Sequence, residues 1–371
     1  MNDKIKKIMI IVIGVFVVFF LFLFLLSSCK KKLTPERLES EIVDKTKDYY
    51  SYNEDELPTD GMVLTLSLGD LVTKGIIDEL EDLLEKNTTC SGNIVIENNN
   101  GYYMYSPSLS CTSLKGEYTT TNLKEVLLEN VVTSGSGLYN INNAYYFRGD
   151  TVNNYIKFDG ILWRITKINE DGTIRLLEDN RRTAVQWDDR YNSLKLSNTG
   201  INNYVNNGVN SRIKDYLEKI YNSEEVLSND GKGYIKQTKL CVGKRSPEET
   251  NNTGSIECSE TIENQYVGLL QVNEYILASL DVNCVKTSSI DCTNYNYLAK
   301  FVSPYWTITS NSENNYQVYK ISNNVNLSNA NNSSMARLVI NISENTSVTG
   351  TGTEDDPYLV TGFDTELKTF N

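Results

Sequence analysis

The chemistry open to this chain is set first by a gap. Its 371 residues include no histidine. That excludes Ser-His-Asp and Cys-His nucleophilic sites, histidine-ligated zinc and imidazole acid–base catalysis. Carboxylates, lysines, tyrosines and seven cysteines remain. Cys90 with Cys111, Cys241 with Cys258, and Cys284 with Cys292 each bracket one loop or hairpin. Six cysteines allow fifteen connectivities, and local pairing is expected because it closes each loop on itself. No pair has CxxC spacing, so neither a thioredoxin-like site nor a zinc ribbon is expected. Cys29 is the odd thiol.

The acidic residues suggest little catalysis. Asp188-Asp189 and Glu354-Asp355-Asp356 are sequence neighbours, whose side chains diverge unless a loop turns them together, so solvated loops are expected. Residues 167–178 mimic a calcium loop at Asn169, Asp171, Gly172 and Glu178. Lys167 occupies the first ligand position, however, and the segment reads as a hairpin turn. An acidic surface could collect calcium, but no motif supports it, and no cofactor or metal is expected. Gly243-Lys244 lacks the rest of a phosphate loop. With no catalytic constellation, the chain is not expected to be an enzyme. The candidate ligand contacts are aromatic. Trp187 precedes Asp188, Asp189 and Arg190, and Trp306 follows Tyr305. Sugar sites stack an apolar ring face on an aromatic while carboxylates and amides take the hydroxyls. Trp187 is expected to be the exposed one, given its polar neighbours. Trp306 and Trp163 sit in strands and are expected in the core.

An oily run fixes where such residues would work. Residues 8–26 are apolar apart from Gly14, follow Lys4, Lys6 and Lys7, and precede Leu26-Ser27-Ser28-Cys29. Such a run is long enough to span a bilayer core of ~30 Å. A charged stretch followed by an apolar one is an export signal. Leu-Ser-Ser-Cys resembles a bacterial lipobox, which would make Cys29 a lipidated N-terminus. The alternative is an uncleaved transmembrane helix. Removing Cys29 leaves an even six cysteines, which suits disulfides in an oxidising exterior. The first 32 residues hold six Lys and one Asp, so the remainder carries 29 basic and 47 acidic residues, or −18. Such a surface repels nucleic acid, and no nucleic-acid partner is expected.

The elements that must position these residues divide the chain in four. Residues 1–32 are the anchor, 33–133 a small α+β region, 134–144 a linker through Ser134-Gly135-Ser136-Gly137, and 145–371 a second region. Thr34-Pro35 opens a helix. Residues 62–66 alternate as a strand, and Ser67 caps a helix stopped by Gly75. Residues 93–97 and 102–109 form a hairpin around Asn98-Asn99-Asn100-Gly101. Cys90 and Cys111 flank its open end. Asp159-Gly160 and Asp171-Gly172 turn a meander over residues 155–158, 161–168 and 173–177. Residues 210–221 show helical periodicity, 266–270 read as a strand and 273–280 as a helix. Residues 305–309, 318–321, 338–342 and 358–360 close the sheets.

A resemblance emerges from the order of short motifs. Tyr146-Phe147-Arg148-Gly149, FDGILWRI at 158–165, VGLLQVNEY at 267–275, YWTIT at 305–309 and RLVINI at 337–342 precede a Gly-Thr-Gly-Thr turn and Pro357-Tyr358. Together, over residues 145–362, they resemble a domain of unknown function in surface proteins of gut Gram-positive bacteria. That domain is similar to C-type-lectin-like folds, including the formylglycine-generating-enzyme and retroelement-variable-protein branch. Residues 34–118, with Leu64-Thr65-Leu66-Ser67-Leu68 and a cysteine-bracketed hairpin, look like the non-helical end of pilin-like proteins, although the prepilin motif is absent. The resemblance implies an α+β protein: a membrane anchor, a pilin-like stalk and a C-type-lectin-like domain with antiparallel sheets. It implies an extracellular binding or adhesion protein at the cell membrane, recognising a glycan, protein or peptide. The alternatives are a non-polymerising companion of a pilus-like or secretion assembly, and an envelope enzyme of the formylglycine-oxidase type.

Overall fold

The computed structural model describes residues 32–179, 182–190, 200–301, 303–363 and 366–368. The apolar run and the lipidation site Cys29 lie outside them. Among the described residues no helix is long and apolar enough to cross a membrane. The architecture is α+β, built on antiparallel and mixed sheets around two hydrophobic cores.

The proximal module begins with α1 (Pro35–Ser51), with proline in its first turn. It continues through β1 (Val63–Ser67), α2 (Leu68–Thr73), α3 (Leu80–Leu83), β2 (Thr89–Asn99), β3 (Tyr102–Ser113) and β4 (Gly116–Thr119). Ser67 and Asp70 cap α2 reciprocally, as the Ser-x-x-acid spacing predicts. Strands β1 to β4 form one antiparallel sheet in chain order. Its β2–β3 turn is Asn100-Gly101, with φ of 54° and 85°, the two left-handed residues that a tight hairpin needs. The register sets Cys90 opposite Cys111, and the two are joined. Leu38, Ile42, Val43 and Tyr50 of α1 pack with Ile94, Ile96 and Leu109 of the hairpin.

The distal module starts earlier than expected. Strand β5 (Thr121–Asn122) and α4 (Leu123–Glu129) already belong to it, since Leu123 and Leu127 lie in the distal core. Residues 134–144 are not a linker. Strand β6 (Gly137–Ile141) pairs with β7 (Ala144–Arg148) around Asn142-Asn143, whose φ values are 51° and 67°. The meander follows as β8 (Tyr155–Phe158), β9 (Ile161–Ile168) and β10 (Ile174–Glu178). Strand β11 (Ala184–Gln186) and the small hairpin β12 (Val205–Asn206) and β13 (Val209–Asn210) lead to α5 (Arg212–Asn222) and α6 (Asn229–Tyr234). Strands β14 (Thr238–Cys241) and β15 (Thr261–Gln265) pair across the Cys241–Cys258 disulfide loop. Residues 266–270 are thus not the strand. Only Gly268 bridges to Val339, and Leu269 and Leu270 enter the core from irregular backbone. Helix α7 (Val272–Ala278) precedes the third disulfide, Cys284–Cys292.

The remaining strands are β16 (Tyr305–Ser310), β17 (Gln317–Ser322), β18 (Asn324–Asn329), β19 (Ser333–Met335), β20 (Val339–Ile342), β21 (Ser347–Thr349) and β22 (Tyr358–Val360). One sheet runs β20-β10-β9-β8-β22-β21-β5, with β7 joined to β9 and β6 to β7. A second runs β11-β19-β16-β17-β18. Strand β22 lies parallel to β8, while β21 pairs with β5. The chain's late strands therefore sit against the point where it enters the distal module.

Buried polar contacts weld the modules. The Tyr234 hydroxyl donates to Tyr105 O at 2.7 Å, Ser347 N to Ser106 Oγ at 3.0 Å, and Thr361 Oγ1 to Pro107 O at 3.1 Å. Glu97 of β2 accepts from Lys236 Nζ at 2.6 Å, from Asn345 Nδ2 at 3.2 Å and from Ser343 Oγ.

Candidate functional site

The aromatic residues expected to touch a ligand, Trp187, Tyr305 and Trp306, are buried. Trp187 is fully buried, contrary to the exposure expected of it. Its indole N–H donates to Thr307 O at 3.2 Å, and its ring meets Tyr204 edge-on. Trp306 is also buried, as its strand position predicts, and its N–H donates to Val185 O at 2.8 Å. The two tryptophans thus clamp β11 and β16 to each other. Tyr305 is buried with its hydroxyl on Leu298 O. Arg337 stacks over Phe301 with its guanidinium carbon 3.9 Å from the ring centroid, and over Tyr305. The polar run after Trp187 misled because its charges are consumed locally. Asp188 is buried and takes the Arg190 backbone N–H at 2.9 Å and its guanidinium, while Asp189 faces outward and pairs with Arg212 at 2.9 Å.

Other buried charges are paired across elements. Arg245 Nη1 lies 3.1 Å from Glu257 with both side chains inaccessible. Glu274 of α7 meets Arg175 of β10 at 2.7 Å and Lys167 of β9 at 3.1 Å. Burial alone would raise the Glu274 pKa, yet the two cations outweigh it and hold it at about 2. Burial and the neighbouring Arg175 push the Lys167 ammonium down despite that carboxylate, because two cations crowd one anion. The calcium-like segment is a hairpin turn in which Asp171 accepts from Thr173 N at 3.0 Å, and Glu178 faces Arg182 instead. Among the described residues no three His, Cys, Asp or Glu side chains gather around a metal position.

One group differs. Glu39 lies on the inward face of α1, only 6% exposed, and its Oε1 has no hydrogen-bond partner among the described residues. It opens into a cleft of about 510 Å³ between the modules. Helix α1 supplies Glu36, Glu39 and Ser40, and β4 supplies Tyr118. The opposite wall is Thr349 of β21, Leu359 and Val360 of β22, and residues 361–363 ending in Phe363. The topology makes this cleft. Strand β4 runs into β5, β5 pairs with β21, and β21 with β22.

No family model, curated protein or solved structure matches the chain.

The chemistry of the cleft is accordingly read from its own atoms. Burial lifts the Glu39 pKa to about 7; the neighbouring Tyr118 hydroxyl opposes the rise and nearby Glu36 adds to it. Burial and then Glu39 drive the Tyr118 hydroxyl well above its ordinary range, so it stays neutral. Glu36 and Glu39 stand one helical turn apart, on the same side of α1. No lining residue is basic. Two other clefts lack such a group. The one of about 470 Å³ beside α1 has Glu41 and Lys45 on its wall, 3.8 Å from each other. The one of about 250 Å³ beneath β6 and β7 has no carboxylate or cationic side chain in its lining. Sequence inspection missed Glu39. Its signal was an acid in register with Ile42, Thr46 and Tyr50 on one buried stripe.

Proposed function

We propose that this chain is a membrane-anchored binding protein of the cell exterior, recognising a glycan, protein or peptide in the cleft between its modules. One observation carries the reading. All six cysteines among the described residues are joined in three local disulfides, the pattern of a protein that matures on the oxidising side of a membrane. The apolar run and lipobox-like Cys29 supply the anchor, and the acidic surface suits a crowded exterior. The ordered motifs from Tyr146 to Tyr358 support a C-type-lectin-like distal module. A formylglycine-oxidase mechanism needs a reduced cysteine, and the pairing of Cys241 with Cys258 and of Cys284 with Cys292 favours the binding reading over it. The pilin-like proximal part favours a second reading, a companion subunit of an envelope assembly. Its packing against the distal module, rather than beside it as a free stalk, suits a single recognition unit better.

Intact mass spectrometry and membrane-impermeant labelling of the protein in its native cells test the proposal. A labelled, membrane-held protein with three disulfides is expected. A cytosolic protein with reduced thiols overturns it.

A further inference from the structure

The cleft lining is one-sided in its chemistry. Its charged groups are two carboxylates, its far wall is Leu359, Val360 and Phe363, and Glu39 Oε1 is buried without a donor. A buried acceptor left without a donor is destabilising, so a ligand that donates there recovers what the free protein lacks. A neutral sugar could donate, but it would leave the Glu36–Glu39 repulsion in place. An anion would worsen it. Resting on the reading above, we propose that this cleft takes a cationic side chain, lysine or arginine, borne on a peptide segment with apolar neighbours. The ammonium or guanidinium would sit between Glu36 and Glu39, and its methylene stem would lie along Leu359, Val360 and Phe363, as long cationic side chains do against apolar surface. The cleft volume of about 510 Å³ lies within the range of ligand sites, ~300–1,000 Å³.

Proton linkage follows from the geometry. The groups facing Glu39 are Glu36 on its own helix, Tyr118 on β4 and, more distantly, Tyr234 on α6. The lining from β21, β22 and residues 361–363 has no ionisable side chain. Glu39 is thus the group that titrates near neutrality, at about 7. A cation favours its charged form, so binding expels a proton and weakens as pH falls, by about tenfold from pH 8 to pH 6.

The test is calorimetry on the full chain in phosphatidylcholine nanodiscs. The probes are acetyl-Leu-Lys-Leu-amide, the same peptide with norleucine for lysine, and n-butylamine. The lysine peptide should bind at least tenfold more tightly than the norleucine peptide and than butylamine, with proton release at pH 7. Glu39→Gln should remove at least tenfold of that affinity and abolish the pH dependence. Equal binding of the lysine and norleucine peptides by the unaltered chain, which requires no variant to fold, overturns the proposal. So does butylamine binding as tightly as the peptide, or no saturable heat at millimolar peptide. Any of these results from a protein already shown to be surface-displayed and fully disulfide-bonded sinks the cationic ligand alone. A reduced cytosolic protein sinks the reading beneath it.

Discussion

At the scale of residues, burial decides what each candidate does. Trp187, Tyr305 and Trp306 carry the aromatic faces expected to stack on a sugar, yet each is inaccessible and each polar tip is bound to a backbone carbonyl. Large aromatic side chains are buried on average, and an indole N–H inside a protein needs an acceptor. The charges that matter most to stability are those whose partners come from other elements. Glu274 is 2% exposed at its side chain and pairs with both Arg175 and Lys167. Removing one member of a buried ionic cluster leaves the others uncompensated and costs about 3–5 kcal/mol. Glu274→Gln should lose stability in that range in urea unfolding at pH 7. The linkage has a definite sign. The carboxyl sits at about 2 in the folded chain against an ordinary 4.5. Its stabilisation is therefore present above about 4.5 and lost as pH falls toward about 2. The gap between variant and unaltered protein should narrow from pH 7 to pH 3. A gap of constant size across that interval would falsify the assignment.

At the scale of elements, local turn chemistry was the readable part. Asn100-Gly101 and Asp159-Gly160 both mark two-residue hairpins, and each observed turn has positive φ at both positions. Amphipathic spacing located α5, with Ile213, Leu217 and Tyr221 inward. The β6–β7 hairpin escaped notice because Asn142-Asn143 is a weaker turn signal than Asn-Gly and the preceding Ser-Gly repeat reads as a linker. Strand β15 escaped because Thr261 to Gln265 are polar and largely exposed apart from the single apolar Ile262, with no apolar alternation to betray them. The Glu39 cleft was illegible for another reason. It joins residues 36–40, 118 and 349–363, and only long-range strand pairing brings them together. The cysteine pairs, by contrast, needed only short-range geometry. Cys90 and Cys111 face one another at the hairpin's open end, 21 residues apart in sequence. Loop-closure entropy for that span predicts a contribution of about 3 kcal/mol. Replacing both cysteines with serine should lower unfolding stability by about that much, with hydrogen exchange rising first in β2, β3 and β4. Unchanged protection in those strands would show that sheet pairing alone holds the hairpin.

At the scale of the whole molecule, the two cores behave as one body only if their interface is as strong as its contacts imply. The hinge of that interface is Glu97. It stands on the proximal hairpin, 4% exposed, and gathers Lys236 from one stretch of the distal module and Ser343 and Asn345 from another. Nearby, the Gly233 backbone approaches so closely that a Cβ would lie 2.3 Å from Tyr103 O. Both features mark a fitted contact, since a loose one would tolerate a methyl group and solvate its charges. Glu97→Gln keeps the shape and removes the charge that Lys236 faces, and a hydrogen bond to a charged group is worth about 1.5–3 kcal/mol. Gly233→Ala leaves all charges in place and forces the backbones apart. If the modules unfold as one unit, either substitution should lower the stability of both, and amides in β3 and in β20 and β21 should lose protection together. If the modules unfold separately, Gly233→Ala will loosen only the contact, and protection in β20 will stay at its original level while β3 opens. Hydrogen-exchange mass spectrometry on the full chain distinguishes the two patterns. The joint pattern is expected, because the cleft holding Glu39 has one wall on each module and keeps its shape only while they move as one.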